Sequence, residues 1–392
     1  MYGKYLVGIA FSMIAAGASA TVPTYRVQYL GAGWTGTGMN EYGEVCGSMS
    51  PDGTALRAGV SRDGQPFELL PLPPGMQTSR AFDINDAGVI VGAVCPNQYV
   101  ITQPTAAVWR PGPGGYTVEV LGGLPGDAYS IAWAVNNLGD IIGASGFWGW
   151  NPDHPILYTE AGPTPLPGGL LASDINDQRV VVAGSQLIDL DTGVVTNVPL
   201  PPGNWQGVVS AAINNNNDFC GYILGYSGCS TFPIRYRQGV GWEFVGGCGT
   251  TTSANAINDH GDVLMYYSTT ASGVDFVGDG YFGLGGLIDP SQGAWYVQPG
   301  GANAINNRHQ IVAAARQGAS GLIGAILMSP MDMTTPGDVD GDGDVDLGDL
   351  TLLLSAFGTC AGDAGFNAAA DGDGSGCVEL SDLAILLANF GA

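Results

Sequence analysis

The chain has 392 residues and carries 35 Asp and Glu against 11 Lys and Arg, a net charge of −24. A surface of that sign repels nucleic acid and anionic lipid, which excludes both as partners. With 64 Gly and 24 Pro, long helices are not expected over most of the length.

The first 20 residues combine one basic residue, Lys4, an apolar run from Leu6 to Ala16 and the small-x-small ending Ala18-Ser19-Ala20. That order predicts a secretory signal over 1–20 and a secreted or cell-surface protein. The apolar run is short of the ~18 residues that a membrane span needs, and no later segment could span a bilayer. Cutting after Ala20 removes Lys4, the only lysine of the chain. Seven cysteines in a secreted chain permit disulfides and leave at least one unpaired or joined to another chain. Cys360 with Cys377 is the expected pair, and Cys220, Cys229 and Cys248 lie close enough for one local bridge. None of the seven forms a C-x-x-C, so a zinc reading has little support.

Residues 21–330 contain seven copies of a motif of the form A-x-x-I-N-[DN]-x-G-x-[IV]-[IV]-G. The first Asn of each copy serves as its marker: Asn40, Asn85, Asn136, Asn176, Asn214, Asn258 and Asn306. The clearest copies run from Ala81 to Gly92 and from Ala132 to Gly143. Each reads as strand, tight turn, strand: the Asn-Asp pair can bond its own backbone, and a Gly three residues after the marker supplies positive φ. Between copies lie two more apolar runs, such as Ala106–Trp109 and Tyr116–Leu121, which makes four short strands per unit. The marker spacings of 45, 51, 40, 38, 44 and 48 average about 44, the length of one four-stranded blade. Seven such units fill the 310 residues of 21–330, which predicts a seven-bladed β-propeller, with a β-sandwich pair or β-solenoid as the alternatives.

At these residues the chain resembles the extracellular HAF repeat. Thr105–Trp109 and His154–Tyr158 stand where that family has its His-Ala-Phe signature, and Leu121-Gly122-Gly123-Leu124-Pro125 resembles the segment leading into it. Copies one, four and five depart most: Met39 precedes Asn40, and Arg179 and Asn217 replace the turn Gly. The resemblance implies an extracellular β-rich scaffold and no particular reaction.

No H-E-x-x-H, G-x-S-x-G or Walker A loop occurs. Gly31–Gly36 spells G-x-G-x-x-G, but no helix pattern follows it. His154, His260 and His309 read as blade-loop residues. Paired carboxylates could hydrolyse glycosides, yet Asp83, Asp86, Asp174, Asp177, Asp259 and Asp262 belong to the repeat and are accounted for by turn chemistry. Trp109, Trp133, Trp148, Trp150, Trp205, Trp242 and Trp295 could stack on sugars, with blade core as the commoner role for such residues.

After a linker over 331–336, residues 337–392 hold ten Asp, one Glu and no basic residue, −11 of the net charge. Calcium wants six or more oxygens, and a 12-residue loop supplies them from positions 1, 3, 5, 7, 9 and 12 with Gly at 6. The first copy offers Asp338, Asp340, Asp342, the Asp344 carbonyl, Asp346 and Asp349. The second, offset by 33, offers Asp371, Asp373, Ser375, the Cys377 carbonyl, Glu379 and Asp382. One helix is expected after each loop, over 349–358 and 382–391. Leu350, Leu353, Leu354 and Phe357, and Leu383, Leu386, Leu387 and Phe390, share the spacing of one buried face. Ser375 replaces a carboxylate, so the second site is expected to be the weaker.

Two loop-helix units of this kind resemble a type I dockerin, a small all-α domain of paired F-hands. The resemblance implies two bound calcium ions and docking onto a cohesin. In that family loop positions 10 and 11 are commonly Ser-Thr; here they are Leu347-Gly348 and Leu380-Ser381, so the expected partner is a cohesin-like or other extracellular protein. The combined expectation is a secreted, non-catalytic binding or structural protein. The alternatives are a dockerin-bearing carbohydrate-active enzyme acting in polysaccharide catabolism, or a lectin, with carbohydrate the ligand in either case.

Overall fold

The computed structural model describes residues 22–391 apart from 51–54, 63, 98–102, 147–153, 226–229, 250–251, 268–270, 320, 332–335, 340–344 and 374. The expected signal segment 1–20 and most of the expected linker therefore lie outside the described residues, as do Trp148 and Trp150.

Seven four-stranded antiparallel sheets succeed one another along the chain, giving a seven-bladed β-propeller. Blade 2 shows the plan: inner strand Thr78–Ile84, then Ile90–Cys95, Thr105–Arg110 and the outer strand Thr117–Val120. The marker turn joins the first two strands. Asn85 Oδ1 accepts from Val89 N at 2.9 Å, and Gly88 N donates to Asn85 O at 2.9 Å. Gly88 and Gly139 have φ of 72° and 87°, the left-handed conformation that glycine adopts without strain. Arg179, Asn217 and His309 keep that conformation without the glycine, at φ of 60°, 62° and 56°. Three copies thus hold the turn by their hydrogen bonds despite the steric cost, and the third of them, at His309, was not among the departures expected.

The ring is closed by the two distant ends of the propeller. Blade 7 takes its inner three strands, Trp295–Ile305, Ile311–Gln317 and Gly324–Pro330, from one end of the repeat array. Its outer strand, Tyr25–Ala32, comes from the other and pairs from Tyr25↔Pro330 to Ala32↔Gly324. Apolar clusters lie between consecutive blades. Cys46, Val60 and Leu70 of blade 1 meet Ile84, Ile90 and Trp109 of blade 2, and Leu30 and Val312 of blade 7 meet Trp34 and Val45 of blade 1. Trp109 is fully buried, with its Nε1 donating to Pro71 O at 2.8 Å, and so takes the core role.

In the tail, helices Leu347–Ala356 and Leu380–Ala388 each begin two residues before the expected start. The reason is a capping box: the N-cap carboxylates of Asp346 and Glu379 and the N3 carboxylates of Asp349 and Asp382 satisfy the free N–H groups of the first turn. Cys360 and Cys377 form the expected disulfide, and an antiparallel bridge joins them. Cys248 is also disulfide-bonded, whereas Cys46, Cys95 and Cys220 are free and buried. Val339, Val345, Leu353, Val378 and Leu386 form the small core. Only half of each expected buried face is inside: Leu354, Phe357, Leu387 and Phe390 are exposed. A unit of this size has too little interior to cover both sides of each helix. No helix among the described residues is long and apolar enough to cross a membrane.

Candidate functional site

The inner strands line a central channel, and the markers form a closed circuit around one end of it. Each marker Nδ2 donates to the carbonyl of the next marker: Asn40 to Asn85 at 3.1 Å, Asn85 to Asn136 at 2.9 Å, Asn136 to Asn176 at 3.0 Å. The chain continues through Asn176, Asn214 and Asn258, and Asn306 closes it by donating to Asn40 O at 3.2 Å. A second circuit runs through the next residue of each copy, where a side-chain oxygen accepts a backbone N–H of the preceding blade. Glu41 N donates to Asp86 Oδ1, Asp86 N to Asn137 Oδ1 and Asn137 N to Asp177 Oδ1. Burial, with Asp86 and Asp259 nearby, pushes Glu41 up to about 7. The repeat acids therefore link blades, a correction to the reading that assigned them to their own turns.

Asp83 and Asp174 differ again. They stand two residues before a marker, where the other five copies have Gly or Ala. Asp83 accepts from Ile84 N of its own strand and from Val135 N of blade 3, each at 2.9 Å. Asp174 does the same with Ile175 N and with Ile213 N of blade 5. Burial raises Asp83 to about 6, and burial with Asp83 as a second negative neighbour raises Asp174 to about 8.

One residue earlier, three before the marker, six of the seven inner strands carry a β-bulge. A bulge adds one residue to its strand and re-aims its side chain. The bulge residues Thr37, Phe82, Trp133, Ala211, Asn255 and Asn303, joined by Ser173 of blade 4, line the other mouth of the channel. The cavity there has a volume of about 950 Å³ and no charged lining residue. Phe82 and Trp133 lie 5.0 Å apart between centroids. The bulge also explains the Gly that closes the motif: a Cβ on Gly92 or Gly143 would sit 1.9 or 2.0 Å from the carbonyl oxygen of Arg80 or Ile131. Sequence reasoning missed this ring. Its signal was present, since this position takes six residue types between neighbours that are almost all Gly, Ala, Ser or Asp.

His260 and His309 meet at the junction of blades 6 and 7, whereas His154 opens the third strand of blade 3. His260 and His309 stack at 4.7 Å, and His309 Nε2 lies 2.9 Å from Asp262 Oδ2. His154 Nδ1 lies 2.9 Å from Asp127 Oδ2, to which Ser145 Oγ also donates. The carboxylate stands between Ser145 and His154, so the imidazole is not placed to take the serine proton.

In the tail, one carboxylate oxygen from each of Asp371, Asp373 and Asp382 falls within 4.8 Å of the others. Asp371 Oδ2 accepts from Gly376 N at 2.8 Å, across the bend of the loop, while its Oδ1 is buried with no hydrogen-bond partner. Ser375 Oγ donates to Cys377 O at 3.2 Å, and Glu379 caps its helix. Hydrogen bonds from Ser381 and then Ser375 hold Asp373 below the usual carboxylate range. The orphaned Oδ1 of Asp371 and its two acidic neighbours fit a divalent cation, which would offset the cost of leaving that oxygen bare. Of the first loop, Asp338 is buried, Asp346 is an N-cap, and Asp349 is fully buried, accepting from Val339 N at 2.6 Å and Asp346 N at 2.7 Å. Asp340, Asp342 and Asp344 lie outside the described residues.

No family model matches the chain, and no curated protein matches it. Among solved structures it is similar to YCF48 bound to a D1 peptide, at 11% identity and a TM-score of 0.41 over 80% of this chain and all of that one. It is also similar to an α-L-arabinofuranosidase from Fusarium graminearum solved with an iminosugar inhibitor, at 8% identity and a TM-score of 0.34 over 79% of this chain and 97% of that one. A third is the native arabinanase of Bacillus subtilis, at 13% identity and a TM-score of 0.25 over 74% of this chain and 90% of that one. The blade count rests on the strand pairing, and these similarities decide nothing about the chemistry.

Proposed function

We propose that the chain is a non-catalytic extracellular binding protein, a propeller displayed through a dockerin-like tail that holds two calcium ions and docks onto another extracellular protein. The observation that carries the reading is the convergence of Asp371, Asp373 and Asp382 around the orphaned Asp371 Oδ1. Ser375, Cys377 and Glu379 complete the second ligand set, and the residues of 338–349 named above form the first. Calcium there neutralises a block of acid that otherwise repels itself.

Docking has its own support. Leu347 and Leu380, Leu354 and Leu387, and Phe357 and Phe390 are pairs related by the 33-residue offset, and all six are exposed. The same apolar pattern is thus shown twice, on helices whose loops the ion would order. An apolar pattern of that kind rimmed by acid marks a protein-binding face. The test is titration calorimetry of the full chain with calcium, followed by capture of extracellular proteins with and without chelator. Two bound ions and chelator-sensitive capture support the reading; absence of calcium binding removes it.

A further inference from the structure

We propose that the bulge ring at the uncharged mouth of the channel is a binding site for a neutral saccharide. The claim concerns the propeller body and does not depend on the calcium reading of the tail.

The ring is built for selection. Within each copy of the repeat, the positions on either side are held by packing and by the marker turn, while the bulge residue is Thr, Phe, Trp, Ser, Ala, Asn or Asn. In six of the seven blades the bulge re-aims this one side chain toward the channel, and Thr37, Ser173 and Asn303 also reach Ala81 O, Ser210 O and Gly36 O of the next blade, which fixes their orientation. Seven side chains of differing chemistry around one cavity amount to a specificity ring. At about 950 Å³ the cavity lies within the ~300–1,000 Å³ range of small-ligand sites.

The ring is also polarised. On one arc Phe82 and Trp133 offer aromatic faces, and Leu170 and Val209 extend the apolar wall from blades 4 and 5. Asn255 and Asn303, from adjacent blades 6 and 7, stand on the other arc. Asn255 Oδ1 accepts from Ser253 Oγ at 2.6 Å, which leaves its Nδ2 to donate. Asn303 Nδ2 donates to Gly36 O at 2.7 Å, which leaves its Oδ1 to accept. One fixed donor beside one fixed acceptor is what a pair of neighbouring hydroxyls needs. The aromatic arc suits the C–H face of the same sugar ring. No lining side chain is charged, and the Arg80 guanidinium behind them is engaged over the Phe82 ring, 5.4 Å from its centroid, so the lining favours a neutral ligand.

The test is a glycan array probed with the full chain, followed by titration of the best neutral saccharide against the chain and its variants. Trp133→Ala is expected to weaken binding at least tenfold, Asn255→Ala and Asn303→Ala at least fivefold each, and Leu322→Ser, exposed and absent from the cavity lining, by less than twofold. Thermal melting of each variant separates loss of binding from loss of fold, and Trp133→Phe, which keeps an aromatic face, should recover part of the affinity. Retention of no neutral glycan, preference for charged glycans or for peptides, or a binding constant that Trp133→Ala leaves unchanged overturns the proposal.

Discussion

Asn306 Nδ2 donates to the carbonyl oxygen of Asn40 at 3.2 Å, a bond between residues 266 positions apart that closes a circle of seven asparagines. Each member does two tasks: its Oδ1 holds its own turn and its Nδ2 holds the next blade. For Asn136 these are the bonds to Asp140 N at 2.8 Å, part-buried, and to Asn176 O at 3.0 Å, buried. Removing the side chain leaves the Asp140 N–H unmet, at about 1–3 kcal/mol, and takes one bond of about 0.5–1.5 kcal/mol each from Asp140 Oδ2 and from Asn176 O, which keeps its bond from Arg179 N. Asn136→Ala should therefore lower the unfolding free energy by roughly 2–4 kcal/mol in urea titration. A loss below about 0.5 kcal/mol, the level of an ordinary surface change, would show the circle to be ornamental.

How far the fold and the site could be read from the residues follows from which interactions are local. The marker turn is a matter of five consecutive residues, so Asn85 and Gly88 announce it, and the period counts the blades. The strand Tyr25–Ala32 carries no marker, and its partner Gly324–Pro330 lies almost 300 positions away, so the manner of closure was not legible. Nor was the direction of Phe82 and Trp133. Alternation along a strand predicts faces only while the register holds, and one bulge exchanges them. In the tail the spacing of Asp371, Asp373 and Asp382 was legible because a loop around one bend is again local. The exposure of Leu354 and Leu387 was not, since helical periodicity shows that a face is apolar without showing what covers it.

Arg235 offers a second test of how blades adhere. It is 5% exposed, and its guanidinium lies 2.7 Å from Glu243 Oε2, 2.8 Å from Gly261 O and 3.4 Å from Asp275 Oδ1, spanning blades 5 and 6. Burial raises Asp275 to about 6 even with that cation opposing it. Arg235→Ala strands a buried carboxylate, and breaking such a group typically costs about 3–5 kcal/mol. Arg235→Ala with Asp275→Ala should cost clearly less than the sum of the two single changes. Additive costs in a double-mutant cycle would mean that the pair is not coupled.

Asp174 predicts a pH dependence whose direction is set by burial. Its folded pKa of about 8 lies above the unfolded value near 3.9, so between those values the folded chain holds a proton that the unfolded chain has released. Its contribution to stability is whole below pH 4 and drains as pH rises toward 8, at about 1.4 kcal/mol per pH unit. Asp174→Asn removes this proton linkage. Unfolding free energies measured from pH 5 to 8 should fall less steeply with pH in the variant than in the parent. Equal slopes in the two chains would place the Asp174 pKa at its unfolded value.

The two ion sites should come apart under mutation. Asp371 supplies the bare Oδ1 of the second loop, and its other oxygen holds the Gly376 N–H across the bend, so its removal takes both a ligand and a turn contact from that loop. In the second loop a serine stands at position 5 where the first has Asp342, and a site with one carboxylate fewer binds calcium less tightly. Titration calorimetry of the full chain should therefore resolve two ions with the weaker lost in Asp371→Ala and the tighter kept. The disulfide Cys360–Cys377 remains in that variant, so the helices stay joined and the change is read in stoichiometry, from two to one. If Asp371→Ala removes the tighter ion and spares the weaker, the order of the two loops is reversed. If it removes neither, the convergence of Asp371, Asp373 and Asp382 serves only the turns of the loop and the cap of its helix.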